Sequence, residues 1–132
     1  GFFMTQIPDT PYIESENIHI FISILNEIET LNKEKNYISP SFSVDTNMME
    51  FQSLLYDAIE IISNNTNLSS HQIERIFNDI IIDGDMRFNI INFCRYSIEW
   101  LITSDKTAIK KILIKNASSE NYENDLKVIE KW

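Results

Sequence analysis

Between residues 41 and 132 the chain contains no proline and only one glycine, Gly84. Proline removes a backbone donor and breaks helices, whereas glycine takes positive φ at little steric cost. A long segment with a single such residue is typical of packed helices. Because Gly84 lies between two strongly apolar segments, it predicts a helix stop and a sharp turn. The stretch from Ile73 to Leu101 is therefore predicted to be a helix, a glycine corner and a second, more hydrophobic helix.

Apolar residues at helical spacing predict the other elements. In chain order the expected helices are about 15–33, about 43–63, one opening at 69, one through 90–101 after the glycine, one through 108–113, and a short one through 122–129. Ser69 and Gln72 are spaced as a capping box, and Ser104 with Asp105 can cap the fifth helix. The helix after Gly84 is apolar around nearly its whole circumference, which predicts the buried central element. No strand alternation competes, so the predicted fold class is all-α.

The length of 132 residues fits one domain, 1–132, in which residues 1–12 are expected to be a flexible segment. A net charge of −9 makes nucleic acid and anionic membrane poor partners, because phosphates attract clusters of Lys and Arg. No apolar run reaches the roughly 20 residues of a membrane span. Cys94 is the only cysteine, so no internal disulfide can form and a reducing compartment is the simpler inference.

Catalysis has little support in the sequence. His19 and His71 are far apart and neither has a Cys, Asp or Glu at the spacing of a metal motif. A glycine-rich phosphate loop cannot be built with one internal glycine. We therefore expect no enzyme activity, no metal and no cofactor.

A resemblance to a known family lies at the centre of the chain. Residues 78–84 read Asn-Asp-Ile-Ile-Ile-Asp-Gly, and residues 85–93 continue as Asp-Met-Arg-Phe-Asn-Ile-Ile-Asn-Phe. An acidic residue, an Asp-Gly corner and an apolar helix in this order resemble the first homology region of the Bcl-2 family. The resemblance implies a Bcl-2-like helical bundle with a central hydrophobic hairpin and a BH3-binding groove. Abundant Ile, Asn, Asp and Lys and the short loop before the second helix look like the compact Bcl-2 homologues of large DNA viruses, poxviruses especially.

The resemblance also implies a function and a site. Relatives that inhibit apoptosis hold the amphipathic BH3 helix of Bax, Bak or a BH3-only protein in a hydrophobic groove. Carried over by position, the groove residues are Met48, Phe51, Leu54, Leu55, Ile76, Ile80, Arg87, Asn89, Ile90, Asn92 and Tyr96. The apolar members could equally pack in the core, because groove floor and core are continuous in this architecture. The family's groove arginine aligns with Asn89, so either Asn89 or the nearby Arg87 is expected to meet a ligand aspartate.

Two other functions stay open. Some poxviral Bcl-2-like proteins have closed grooves and block innate signalling adaptors of the NF-κB pathway through other surfaces, and the chain could also be a helical scaffold unrelated to cell death. The resemblance implies a protein of the host cytoplasm, at the mitochondrial outer membrane if the full-length protein carries a C-terminal anchor. A homodimer is left open.

Overall fold

The computed structural model describes residues 15–38, 44–78, 80–83, 86–87, 90–117 and 122–132. Within these residues the chain forms six helices and one short two-stranded ribbon, so the expected all-α class is confirmed. The elements are α1 (Ser15–Lys35), α2 (Val44–Asn64), α3 (Ser70–Asn78), β1 (Ile81–Asp83), β2 (Met86–Arg87), α4 (Ile90–Thr103), α5 (Thr107–Lys115) and α6 (Tyr122–Lys131). The segment expected to be flexible, 1–12, lies outside the described residues.

Helix α1 ends close to the predicted position, and its end is held by two asparagines. Asn36 has a φ of 54°, in the left-handed region that asparagine tolerates better than most residues. The buried Asn32 accepts the backbone N–H of Ile38 at its Oδ1, at 2.9 Å. The amide therefore replaces the backbone acceptor that a continuing helix would have supplied.

The predicted capping box at the start of α3 is confirmed. Ser69 Oγ accepts the backbone N–H of Gln72 at 3.2 Å, and Gln72 Oε1 accepts the backbone N–H of Ser69 at 2.8 Å. The preceding loop is closed by the hydroxyl of Ser63, which donates to the carbonyl of Leu68 at 2.9 Å. These bonds satisfy amides that the first helical turn leaves without a partner.

The prediction of helix up to the glycine corner is wrong. Helix α3 ends at Asn78, and β1 then pairs antiparallel with β2, with Asp83 opposite Met86. The residues from 80 to 82 are three successive isoleucines, whose β-branched side chains disfavour helix and favour strand. An Asp-Gly pair between such segments is also a strong hairpin signal. Gly84 itself lies outside the described residues.

The prediction that α4 is buried on all sides is also wrong. One face buries a set that includes Phe93, Ser97 and Trp100, but Ile91, Arg95 and Glu99 are exposed on the opposite face. These last residues are spaced by four, so they form one solvent-facing strip. Helix α2, by comparison, contacts α1, α3 and α4.

The prediction that Ser104 or Asp105 caps α5 is wrong, because the N-cap is Lys106, which makes no side-chain capping bond, and Asp105 instead closes the turn before the helix. Asp105 Oδ1 accepts the backbone N–H of Thr107 at 2.9 Å. Hydrogen bonds from the side chain and backbone of Thr107 hold the pKa of the Asp105 carboxyl below its ordinary value. Ser104, the other expected capping residue, has a φ of 62° and directs the turn between α4 and α5.

Helix α6 packs on α1 and α5. Trp132, which follows it, contacts Asn26 of α1, Trp100 of α4 and Lys106, the residue before α5. The indole Nε1–H of Trp132 donates to Asn26 Oδ1 at 2.8 Å, and its ring meets Trp100 edge-on at a centroid distance of 5.2 Å. Lys106 donates to the Trp132 carbonyl at 2.9 Å, and its Nζ also lies 4.5 Å from the centroid of the Trp132 indole. Trp132 thus joins α1, α4 and the start of α5.

None of the helices in the described part of the chain is both long and apolar enough to cross a membrane.

Candidate functional site

The residues carried over as groove-lining lie on elements that pack together. Helix α2 contacts both α3 and α4. Four phenylalanine rings connect these helices with α1: the ring of Phe93 lies 5.8 Å from Phe21, 5.9 Å from Phe51 and 6.2 Å from Phe77, each edge-on. Edge-to-face pairs at such distances are favourable. The phenylalanine cluster therefore fixes the relative positions of α2, α3 and α4.

Five apolar members of the predicted site are buried. The exposed fraction is 0% for Phe51, Leu54 and Ile80, 2% for Leu55 and 8% for Ile76. All of them except Ile76 belong to the main hydrophobic core. Solvent does not reach these side chains, which we call the floor of the predicted site.

Three predicted residues lie at the edge of this floor and are half-buried: Met48 on α2, and Asn92 and Tyr96 on α4. Asn92 and Tyr96 are one helical turn apart and share a side of α4, as their spacing predicts. Met48 and Tyr96 both pack against the core with part of their surface. We call these three residues the rim, because among the side chains of the predicted site that the structure describes they are the partly accessible ones.

The remaining predicted residues are only partly described. Arg87 is in β2, paired with Ile81, and Ile90 is the first residue of α4, but their side chains lie outside the described part of the chain. Asn89 lies wholly outside it. Two further arginines, Arg75 on α3 and Arg95 on α4, have exposed side chains. Arg75 and Arg95 are cationic groups on the site's own helices that the alignment with the family overlooks.

Sequence reasoning also missed two buried polar side chains beside the phenylalanine cluster. Asn47 on α2 is 7% exposed and Ser97 on α4 is fully buried. Asn47 Oδ1 and Ser97 Oγ have no hydrogen-bond partner among the described residues. Each lies four residues from a clustered phenylalanine, Phe51 or Phe93, so helical periodicity alone could have placed them on the buried faces. Such atoms cost free energy unless a water or a ligand meets them.

Two features bear on the chemistry of the site, its possible metal ligands and the state of its cysteine. Within the described residues no group of three or more His, Cys, Asp or Glu side chains is placed to hold a metal ion. Burial raises the pKa of the Cys94 thiol to about 11, so near neutral pH the thiol is protonated and a poor nucleophile. The described residues of the predicted site carry apolar, amide and phenol groups.

Searches against protein-family models, curated proteins and solved structures found no significant match.

Proposed function

We propose that the chain is a viral, Bcl-2-like inhibitor of apoptosis that binds the BH3 helices of host Bax, Bak or BH3-only proteins between α2, α3 and α4. The observation that carries the proposal is the convergence of the groove residues. Of the positions chosen by resemblance, the described ones lie mainly on α2, α3 and α4, with Ile80 just after α3 and Arg87 in β2, and the phenylalanine cluster joins the three helices. A helix-binding groove needs residues of several elements to lie close together, because they must contact several apolar side chains of one ligand helix simultaneously.

We propose that binding requires the buried floor residues to become accessible to the ligand helix. Met48 and Tyr96 are accessible at the rim, whereas Phe51 and Leu54 are covered. A BH3 helix would first contact the rim and then place its apolar anchors where α3 packs on α2. The apparent affinity falls by the fraction of molecules that are open, so association is expected to be weaker than for a preformed groove of the same composition.

The proposed contact for the BH3 aspartate is Arg87 rather than Asn89. A guanidinium forms a charge-assisted pair with a carboxylate, stronger than an amide–carboxylate bond by about 1 kcal/mol. Arg87→Ala is therefore expected to weaken BH3 binding about fivefold or more, and more than Asn89→Ala does. Arg95→Ala is the matched control, since it removes a guanidinium from the exposed face of α4. Equal and negligible losses from Arg87→Ala and Asn89→Ala would refute the assignment.

Isothermal titration calorimetry against a panel of BH3 peptides tests the proposal. Each peptide is paired with a control in which the key leucine and aspartate are alanine. Binding with a Kd below roughly 1 μM to any member, lost in its control, supports the proposal. If no peptide of the panel binds, although circular dichroism shows that the helices of the protein are intact, the proposal is contradicted.

The burial of the floor favours a second candidate with the same fold. If the groove stays closed, the protein would act on an innate signalling adaptor of the NF-κB pathway through another surface. Substitution at the rim separates the two functions. Tyr96→Ala would then leave suppression of an NF-κB reporter unchanged, whereas under the first proposal it weakens protection from BH3-induced cell death. Under the first proposal the site of action is the host cytoplasm at the mitochondrial outer membrane.

A further inference from the structure

The outward face of α2 carries two strongly exposed apolar side chains. Met49 is 77% exposed and Tyr56 is 50% exposed, although α2 buries most of its other large apolar side chains. Seven residues are close to two helical turns, so Met49 and Tyr56 lie on the same side about 10 Å apart. Ser53 and Glu60 are exposed on the same line. We call these four residues the outer face of α2; it points away from the side that buries Phe51.

The charged residues of α2 are all acidic. The helix contains Asp45, Glu50, Asp57 and Glu60 and no lysine or arginine. Among the described residues its cationic contact is Lys35 of α1, whose Nζ lies 3.3 Å from Asp57 Oδ2. The whole chain has a net charge of −9. Glu60 is the charged residue of the outer face, and together with the net charge of −9 it favours a cationic partner over an acidic one.

We propose that the outer face of α2 binds a basic amphipathic helix of a partner protein. Met49 adapts its shape to apolar side chains, and Tyr56 adds a rigid ring with a polar tip. Glu60, one turn beyond Tyr56, would pair with a lysine or arginine. The matching ligand has apolar residues two turns apart and a basic residue one turn further on. This surface is separate from the rim, so it goes beyond the proposed function.

Fluorescence anisotropy with a labelled synthetic helix tests the proposal on the intact chain. The probe is a peptide of about 18 residues with leucines on one face and lysines on the other, long enough for five helical turns. Its partner probe has glutamate in place of every lysine. We expect saturable binding of the lysine probe with a Kd of about 1–100 μM, weakened by added salt, and no saturation with the glutamate probe. Equal binding of both probes would overturn the proposal.

Matched variants locate the contact. Tyr56→Ala is expected to weaken binding about tenfold, because a tyrosine at the centre of a small interface carries much of its affinity. Tyr122→Ala removes a tyrosine of similar exposure, 45%, from α6 and should change binding less than about twofold. Glu60→Lys should also weaken binding.

Two results would assign the surface differently. A loss with Tyr96→Ala but not with Tyr56→Ala would place the peptide at the rim and overturn the proposal. If sedimentation velocity shows a dimer that Tyr56→Ala dissociates, the outer face binds a second copy of the chain, and this result also overturns the proposal. Failure of the BH3 titrations leaves the lysine-probe result unaffected, so the two proposals fail separately.

Discussion

Trp132→Ala is expected to lower the free energy of unfolding by about 3 kcal/mol. The indole of Trp132 is half-buried and meets the almost fully buried Trp100 edge-on at 5.2 Å, and its Nε1–H donates to Asn26 at 2.8 Å. Lys106 Nζ lies 4.5 Å from the centroid of its ring. Truncation at the β-carbon removes all of these contacts together.

The magnitude follows from the separate contacts. An edge-to-face aromatic pair contributes about 0.5–1.5 kcal/mol. A net hydrogen bond contributes about 0.5–1.5 kcal/mol. A partly exposed cation–π contact contributes about 0.5–1 kcal/mol. Trp132→Phe keeps an aromatic ring against Trp100 and Lys106 but loses the bond to Asn26, so its expected cost is about 1 kcal/mol.

Urea denaturation followed by circular dichroism measures both losses. Tyr122→Ala is the control, because it truncates an exposed aromatic side chain at the other end of α6 and should cost less than about 0.5 kcal/mol. A cost below about 0.5 kcal/mol for Trp132→Ala would refute the claim that Trp132 joins α1, α4 and the start of α5. Equal costs for the alanine and phenylalanine variants would refute the separate role of the ring.

Two further predictions concern α3 and α4. Ser69→Ala is expected to cost about 1 kcal/mol in urea denaturation, and Gln72→Ala should cost less in that background than alone, since the two side chains cap reciprocally; additive losses would contradict the capping box. The pKa of Cys94 is raised from 9.0 to about 11 by burial, so the folded state favours the protonated thiol. The contribution of the protonated thiol to the free energy of unfolding is complete below pH 9.0 and is lost as pH rises toward about 11. The difference in the free energy of unfolding between the wild type and Cys94→Ala should therefore shrink over this interval. A pH-independent difference would contradict it.

Local signals predicted most of the fold. The first two helices and the capping box each follow from a few neighbouring residues, and the structure has them near the expected positions. Such signals are strong because capping groups and apolar spacing act within one or two turns. The contacts of Trp132 could not be predicted in this way. Asn26 is 106 positions away from it, and no local pattern joins such residues.

The errors have physical causes as well. The isoleucines at 80–82 fit an apolar helix stripe, but three successive β-branched residues before Asp-Gly favour a strand and hairpin. For α4, counting apolar residues hid the exposed strip of Ile91, Arg95 and Glu99. For the site, the sequence placed residues on common elements, but whether Phe51 or Leu54 is floor or core depends on how closely α3 packs on α2. That packing is a tertiary property that no single segment encodes.

Intermolecular NOEs between the chain and a bound BH3 peptide test the central claim most directly. With the peptide's leucine methyl groups labelled, we predict NOEs to the Met48 methyl and the Tyr96 ring, and, as the floor opens, to Phe51. NOEs confined to Met49 and Tyr56 on the outer face of α2, or no NOEs from a saturated complex to any rim residue, would contradict the claim that this chain binds BH3 helices between α2, α3 and α4.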